Sequence, residues 1–204
     1  MTAAASVVTG KTLTGDGTLN LKSATIASNV DLTNVTNALT FGGSSSGSVN
    51  SGNTLTVTAS SVTGKTLSGA GTVAIEDLDQ TASASLGNIT ATSVTAAVDN
   101  NVTFTGTIGN AVVTVASGKT FTSTAAKVTG ETLNGSGTVA ITALDATADA
   151  DLSKITASTV TANVADDVTF TGTIGNAVVS VDSGKTFTAT ASKVTGETLT
   201  GADT

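Results

Sequence analysis

Short stretches in which apolar and hydroxyl side chains alternate run through the whole chain. Thr138-Val139-Ala140-Ile141-Thr142, Val168-Thr169-Phe170-Thr171 and Lys185-Thr186-Phe187-Thr188 are typical. A period of two places Val, Ile and Phe on one face of an extended strand and Thr on the other. Branched Cβ atoms suit the pleated surface, which is why Thr and Val favour strands. Gly, Asn, Asp and Ser collect between the stretches, as at Gly109-Asn110, Ser117-Gly118 and Gly135-Ser136-Gly137, and supply the turns. No segment sustains a 3.6-residue apolar period, so almost no helix is expected.

The alternation is organised into blocks. VTGKTLTGDGTLNL starts at Val8, VTGKTLSGAGTVAI at Val62, VTGETLNGSGTVAI at Val128 and VTGETLTGADT at Val194. The blocks 62–127 and 128–193 align without a gap and agree at about 46 of 66 positions. The block at 8–61 is shortened relative to these two, and 194–204 is partial.

Self-similarity at such a period is the mark of a stacked-repeat architecture. Strand centres are expected near Leu133, Ile141, Ala148, Ile155, Ala162, Phe170, Val179, Phe187 and Val194. Nine short sides in each full block suggest three coils with three sides each, at about 22 residues per coil. The fold class read from this is all-β: a parallel β-solenoid (β-helix), one continuous unit over residues 1–204. Each coil would hydrogen-bond to the one below, with neighbouring strands about 4.8 Å apart. Stability would then be a sum of nearest-neighbour terms.

A string of small β-sandwiches is the alternative. The full block is short for a sandwich domain, which usually needs about 100 residues and a bulky core. The shortfall of the first block fits no whole coil of the expected size, so either a side is trimmed there or the coil length differs.

Composition narrows the function. Aromatic residues make up 2% of the chain, and Pro, Cys, His, Trp, Tyr and Arg are absent. No imidazole base, thiol nucleophile, disulfide or His/Cys metal site can form. A net charge of −7 with no Arg argues against nucleic acid, whose phosphates need cationic partners. No apolar run approaches the roughly 18 residues of a membrane span. The start, Met1-Thr2-Ala3-Ala4-Ala5, has neither the basic nor the apolar region of a signal peptide. An exported chain would therefore be a fragment or carry its signal elsewhere.

Candidate sites are few. Gly118-Lys119-Thr120 and Gly184-Lys185-Thr186 look like the end of a phosphate-binding loop, but the Gly required upstream is Val113 and Val179. Gly10-Lys11-Thr12 and Gly64-Lys65-Thr66 fail likewise, with Ala5 and Ala59. Each reads as a turn entering a strand.

Carboxylates could hold calcium, which prefers oxygen ligands. The candidates are Asp79, Asp145, Asp149, Asp151, Asp166 and Asp167, with Asp182 beside them. One block earlier, Asp149, Asp151, Asp166, Asp167 and Asp182 become Ser83, Ser85, Asn100, Asn101 and Ala116; only Asp79 and Asp145 correspond as acids. A solvated acidic face fits this better than a repeated metal site, so no cofactor is expected and calcium stays a minor alternative.

Paired carboxylates could hydrolyse a polysaccharide, but the aromatic platforms and basic groups of a sugar site are lacking. No enzyme is expected. Thr-x-Thr triplets at 103–105, 120–122, 169–171 and 186–188 suggest ice binding, yet the gaps between them do not match the expected coil, so they should not line up on one face. Asn34, Asn88, Asn101 and Asn134 lie in glycosylation-type triplets at no more than chance frequency.

The segments GTVAITALDATADADLSKITASTVTANV and VTFTGTIGNAVVSVDSGKTFTATA resemble the repetitive β-strand regions of very large bacterial surface and secreted proteins, adhesin-type and S-layer-like, rich in Thr, Ala, Val and Gly. That resemblance covers essentially the whole chain. It implies an extracellular or cell-surface location and a mechanical, spacing or matrix-forming role, and carries no catalytic motif. The expected function is a non-catalytic structural rod. Its partners would be adjacent repeats or copies of itself through the solenoid ends, and possibly cell-surface polysaccharide; no nucleic acid or membrane insertion is expected. The alternatives are a filament subunit stacking end to end through open strand edges, and an ice- or glycan-binding module.

Overall fold

A computed structural model describes residues 1–201. It is built of short parallel strands joined by tight corners, and it clusters into two compact units. The first holds residues 1–97 with 106–111, the second residues 98–105 with 112–204.

In the first unit the strands are β1 (Thr2–Ala3), β2 (Thr18–Leu21), β3 (Thr25–Ile26), β4 (Val30–Asp31), β5 (Ala38–Phe41), β6 (Ser46–Val49), β7 (Thr54–Val57), β8 (Thr66–Ser68), β9 (Thr72–Ile75) and β10 (Ser93–Val98). They pair in the orders β1-β2-β5, β3-β6-β8 and β4-β7-β9-β10, every pair parallel. Between β2 and β9, successive strands of one sheet are never successive in the chain. The chain visits the other sheets in between, as a coiling strand must.

The second unit contains β11 (Val102–Thr103), β12 (Val112–Val115), β13 (Thr120–Thr124), β14 (Leu133–Gly135), β15 (Thr138–Thr142), β16 (Thr159–Val164), β17 (Val168–Phe170), β18 (Val178–Val181), β19 (Phe187–Ala189) and β20 (Thr198–Gly201). Six of them form one parallel sheet in the order β11-β13-β15-β16-β18-β20; β12 pairs with β14, and β17 with β19. Both units are thus all-β and parallel, as the sequence pattern predicts.

The alternation reads directly as inside and outside. In β16 the residues Val160, Ala162 and Val164 are buried while Thr159 and Thr161 are exposed, and β10 repeats the pattern with Val94, Ala96 and Val98. In-register partners then stack like on like along the interior. Leu55 lies on Val73, and Phe121 is flanked by Val102 and Val139. Burying each such side chain fully contributes roughly 1.5–3 kcal/mol. The rings of Phe104 and Phe121 meet at 5.4 Å and 32°, and Phe170 and Phe187 repeat this at 5.5 Å. Among the described residues no buried side-chain nitrogen or oxygen lacks a partner. Ser123, buried in the apolar interior, donates from Oγ to the Phe104 carbonyl at 2.8 Å.

The offset in residue number between strand partners varies. It is 17 for Thr161 beside Val178, 25 for Val30 beside Leu55, and 22 for Leu67 beside Ile89 and for Leu133 beside Ile155. The coils are therefore not uniform. Equivalent positions of the two full blocks and of the partial one also fall in different sheets. β13 belongs to the six-stranded sheet, but β19, its counterpart one block later, pairs with β17. β14 pairs with β12, whereas its counterpart β20 pairs with β18. Strands at these equivalent positions of successive blocks therefore do not share a sheet.

The reason is a side that sequence patterning misses. The turn at 173–177 is too short to show alternation, yet it buries Ile174 and Ala177. Six of the nine expected strand centres lie in strands: Leu133, Ile141, Ala162, Phe170, Val179 and Phe187. Ile155 forms an isolated bridge, and Ala148 lies in a turn. Val194 ends a single helical turn instead.

Four such turns occur among the described residues, α1 (Ala5–Val8), α2 (Ala59–Val62), α3 (Ala125–Val128) and α4 (Ala191–Val194), each just before a T-G pair. A single turn is invisible to a 3.6-residue periodicity. α2 is capped by Thr58, whose side chain accepts from the Ser61 N–H.

Candidate functional site

The most regular chemistry in the chain is a corner built by its most repeated motif, V-T-G. After α3, Val128 is buried, Thr129 Oγ1 accepts from the Asp151 N–H at 2.8 Å, and the Gly130 N–H donates to the Asp151 carbonyl at 2.8 Å. The same pair of bonds recurs at Thr9 and Gly10 with Asp31, and at Thr63 and Gly64 with Ser85. Each corner is thus riveted to the next coil by one backbone residue that both donates and accepts. Gly130 has φ +73°, and no atom lies within 4 Å of a Cβ built there, so the left-handed backbone alone calls for glycine. This is a turn locking two coils together.

The acidic candidates mostly serve the same purpose. Asp167 Oδ1 accepts from the Thr186 N–H at 2.7 Å; Asn101 Oδ1 does so from Thr120 and Asn29 Oδ1 from Thr54, both at 2.9 Å. A side-chain oxygen caps the entrance of the next strand in all three places. Asp and Asn interchange there because an amide oxygen accepts as well as a carboxylate. Asp145 Oδ1 accepts from the Ala165 N–H at 2.8 Å, and Asp151 Oδ1 from the Ser153 N–H at 3.0 Å. Asp79 Oδ2 accepts from the Gln80 side-chain amide. Asp149 is exposed.

Asp166 pairs with Lys185 Nζ at 2.6 Å, and the carboxylates of Asp167 and Asp182 add to the field on that ammonium. The local negative charge therefore already faces a cation. Hydrogen bonding and charge from Asp166 first, then the other two acids, hold the Lys185 pKa above its usual value. Among the described residues no group of three or more acidic side chains has the geometry to hold a metal ion.

Asp31, Asp77 and Asp151 depart from ordinary carboxyl titration. The Thr33 N–H and hydroxyl, both donating to Oδ1, hold Asp31 below 3.8, and the Ser153 hydroxyl and N–H hold Asp151 below it. Burial pushes Asp77 up, opposed by the Ala59 N–H it accepts and reinforced by the charge of Asp79. For Asp31 and Asp151 the folded pKa lies below the unfolded one. Their contribution is complete above the usual value of 3.8 and is lost as pH falls through the lower folded values. Asp77 works in the opposite sense, since its burial cost vanishes as it protonates. We therefore expect Asp31→Asn with Asp151→Asn, which keeps both acceptors, to flatten the acid limb of a plot of melting temperature against pH. An unchanged acid limb would assign the acid sensitivity to other groups.

The Thr-x-Thr triplets fall on two sheets, those starting at Thr103 and Thr120 on one and those starting at Thr169 and Thr186 on the other. Within each pair an offset of 19, not 22, sets one threonine beside another, Thr103 beside Thr122 and Thr169 beside Thr188. Shallow grooves run along them, one lined by Asn101, Val102, Thr103, Thr120 and Thr122, the other by Asp167, Val168, Thr169, Thr186 and Thr188. Alignment depends on registers that shift from strand to strand, and no local residue pattern states them. A further cleft, lined by Met1, Leu13, Thr14, Gly17, Thr18, Leu19 and Asn37, has no charged side chain.

No protein-family model, no curated protein and no solved structure matches the chain.

Proposed function

We propose that the chain is a non-catalytic structural segment, a stiff β-solenoid rod of a bacterial extracellular surface or matrix protein. The observation that carries this reading is the recurrence of the inter-coil rivet at Thr9, Thr63 and Thr129. The most repeated motif of the sequence serves to fasten one coil to the next and leaves no reactive group in place. The interior is narrow and apolar, and the acidic side chains cap strands or remain in water, which keeps a Thr-rich surface soluble. In this reading a full block covers ten sides, three and a third coils, in place of three equal coils.

Limited proteolysis and negative-stain electron microscopy of the purified chain test the proposal. Short, protease-resistant rods are expected. Rapid cleavage into compact pieces would overturn it, and long fibres would point to end-to-end self-assembly instead.

A further inference from the structure

We propose that the outward face of the six-stranded sheet β11-β13-β15-β16-β18-β20 is an ice-binding surface. Its outward residues fall into ranks across the strands. One rank runs Thr103, Thr122, Ala140, Thr161, Val178, Thr198, and a second runs Thr120, Thr138, Thr159. A third runs Thr124, Thr142, Asn163, Ser180, Thr200, following from the same registers.

Neighbouring positions within a rank are separated by the strand spacing of about 4.8 Å, with Ala140 and Val178 interrupting the threonines of the first rank, and ranks by two steps along the strand, about 6.7 Å. This rectangular net is close to the one on which oxygen atoms repeat on the prism faces of ice. No side chain in the three ranks is charged. A charge would hold its own hydration shell against a growing crystal.

A second observation concerns the hydroxyls. Some threonine hydroxyls are taken up by the protein, as at Thr9, Thr63 and Thr129, and within the third rank those of Thr142 and Thr200 donate to the Ser123 and Val179 carbonyls. The hydroxyls of Thr103, Thr120, Thr122, Thr138, Thr159 and Thr161 make no hydrogen bond among the described residues. Six neighbouring hydroxyls on a fixed net are left to water. The branched Cβ restricts each to few rotamers, so ordering them against a lattice costs little entropy. Their methyl groups offer the apolar half of the contact.

The preceding block supplies an internal control. On β7, β9 and β10 the ranks read Thr54, Thr72, Ser93 and Thr56, Ala74, Thr95. Exposed Glu76 immediately follows β9, at the position where the six-stranded sheet carries Thr142. Two nearly identical sequences thus differ at this position by replacing a charge with a hydroxyl.

Thermal hysteresis of the full chain, measured on single ice crystals, tests the proposal. The wild type is expected to show a freezing-point gap well beyond the colligative level and to shape the crystal. Thr122→Lys and Thr161→Lys, at the centre of the net, should each reduce the gap to the colligative level while leaving the circular dichroism melt in place. Thr56→Lys, on the β7 side, should retain the gap. A wild type at the colligative level overturns the proposal. So does equal loss in the Thr56→Lys protein, or full hysteresis in the Thr122→Lys and Thr161→Lys proteins.

Discussion

Replacing Gly135 with valine is expected to cost more stability than any change on the surface. Gly135 sits at φ +108°, and a Cβ built on it falls 2.3 Å from the Val115 carbonyl oxygen and 2.7 Å from the Val115 nitrogen. Both obstacles are backbone atoms already committed to the β12–β14 pair, so neither can rotate aside. Two penalties add: the left-handed backbone of a residue that now has a side chain, and the parting of two coils. Each is of order 1–3 kcal/mol, and valine, being branched, is at the upper end of both. Even Gly135→Ala should show most of the loss.

Gly69 repeats the geometry, with its Cβ position 2.3 Å from the Val49 carbonyl oxygen, and should respond alike. Gly130→Ala is the comparison that separates the two penalties. It meets nothing within 4 Å, so only the conformational cost remains, about 1–2 kcal/mol. Urea titration gives the ranking directly. Gly135→Ala no worse than Gly130→Ala would mean that the coils do not pack this closely.

Phe121→Ala should produce the second large effect. The ring is fully buried, rests 5.4 Å from Phe104, and stands in register between Val102 and Val139. Removing a buried Phe costs about 3–5 kcal/mol, and the lost ring pair adds about 0.5–1.5 kcal/mol. The narrow interior has little beside it to collapse into the hole. In a stacked-repeat chain the damage should also stay near its source. Hydrogen exchange is expected to quicken in β11, β13 and β15 and to remain slow in β18. Uniform quickening across the second unit would instead indicate a core that unfolds as one body. Phe187→Ala, at a half-buried position in β19, should lose less.

The contrast between these residues shows what the sequence makes legible. Phe121 announces itself: it lies in Thr-Phe-Thr, and alternation assigns it to the interior. The V-T-G repeats mark the block starts before any coordinates are seen, but the pattern puts a strand centre at Val194 where a helical turn ends, and the rivets from Thr129 to Asp151 depend on which coil lies above. Gly135 reads as a turn residue, yet its main role is to let the Val115 backbone pass. That role depends on a neighbour in the coil before it, as the pairing of Val115 with Gly135 shows.

Register is the quantity that local pattern does not contain. Period two says which face a residue occupies and nothing about which residue of the next coil lies beside it. The turn at Ile174 therefore passes unnoticed, and the block is read as nine sides. The same omission makes the triplets at Thr103 and Thr120 look misaligned when Thr103 in fact stands beside Thr122. The acidic residues are legible in a different way. Asn101 in one block and Asp167 in the next do one job, and their interchange in the sequence already speaks for an acceptor over a metal ligand.

The chain has no cysteine, so introduced pairs report register without interference. Thr161 stands directly beside Val178 across the β16–β18 pair, and both side chains point outward. Parallel neighbours about 4.8 Å apart lie within the Cα separation of about 4.4–6.8 Å that a disulfide spans. Under mild oxidation Thr161→Cys with Val178→Cys should close an intrachain bond rapidly. Thr161→Cys with Ser183→Cys, the pair that uniform coils would bring together, should stay reduced. Closure of the Ser183 pair in place of the Val178 pair would contradict the 17-residue register across β16 and β18, and closure of neither would contradict the stacking on which the fold rests.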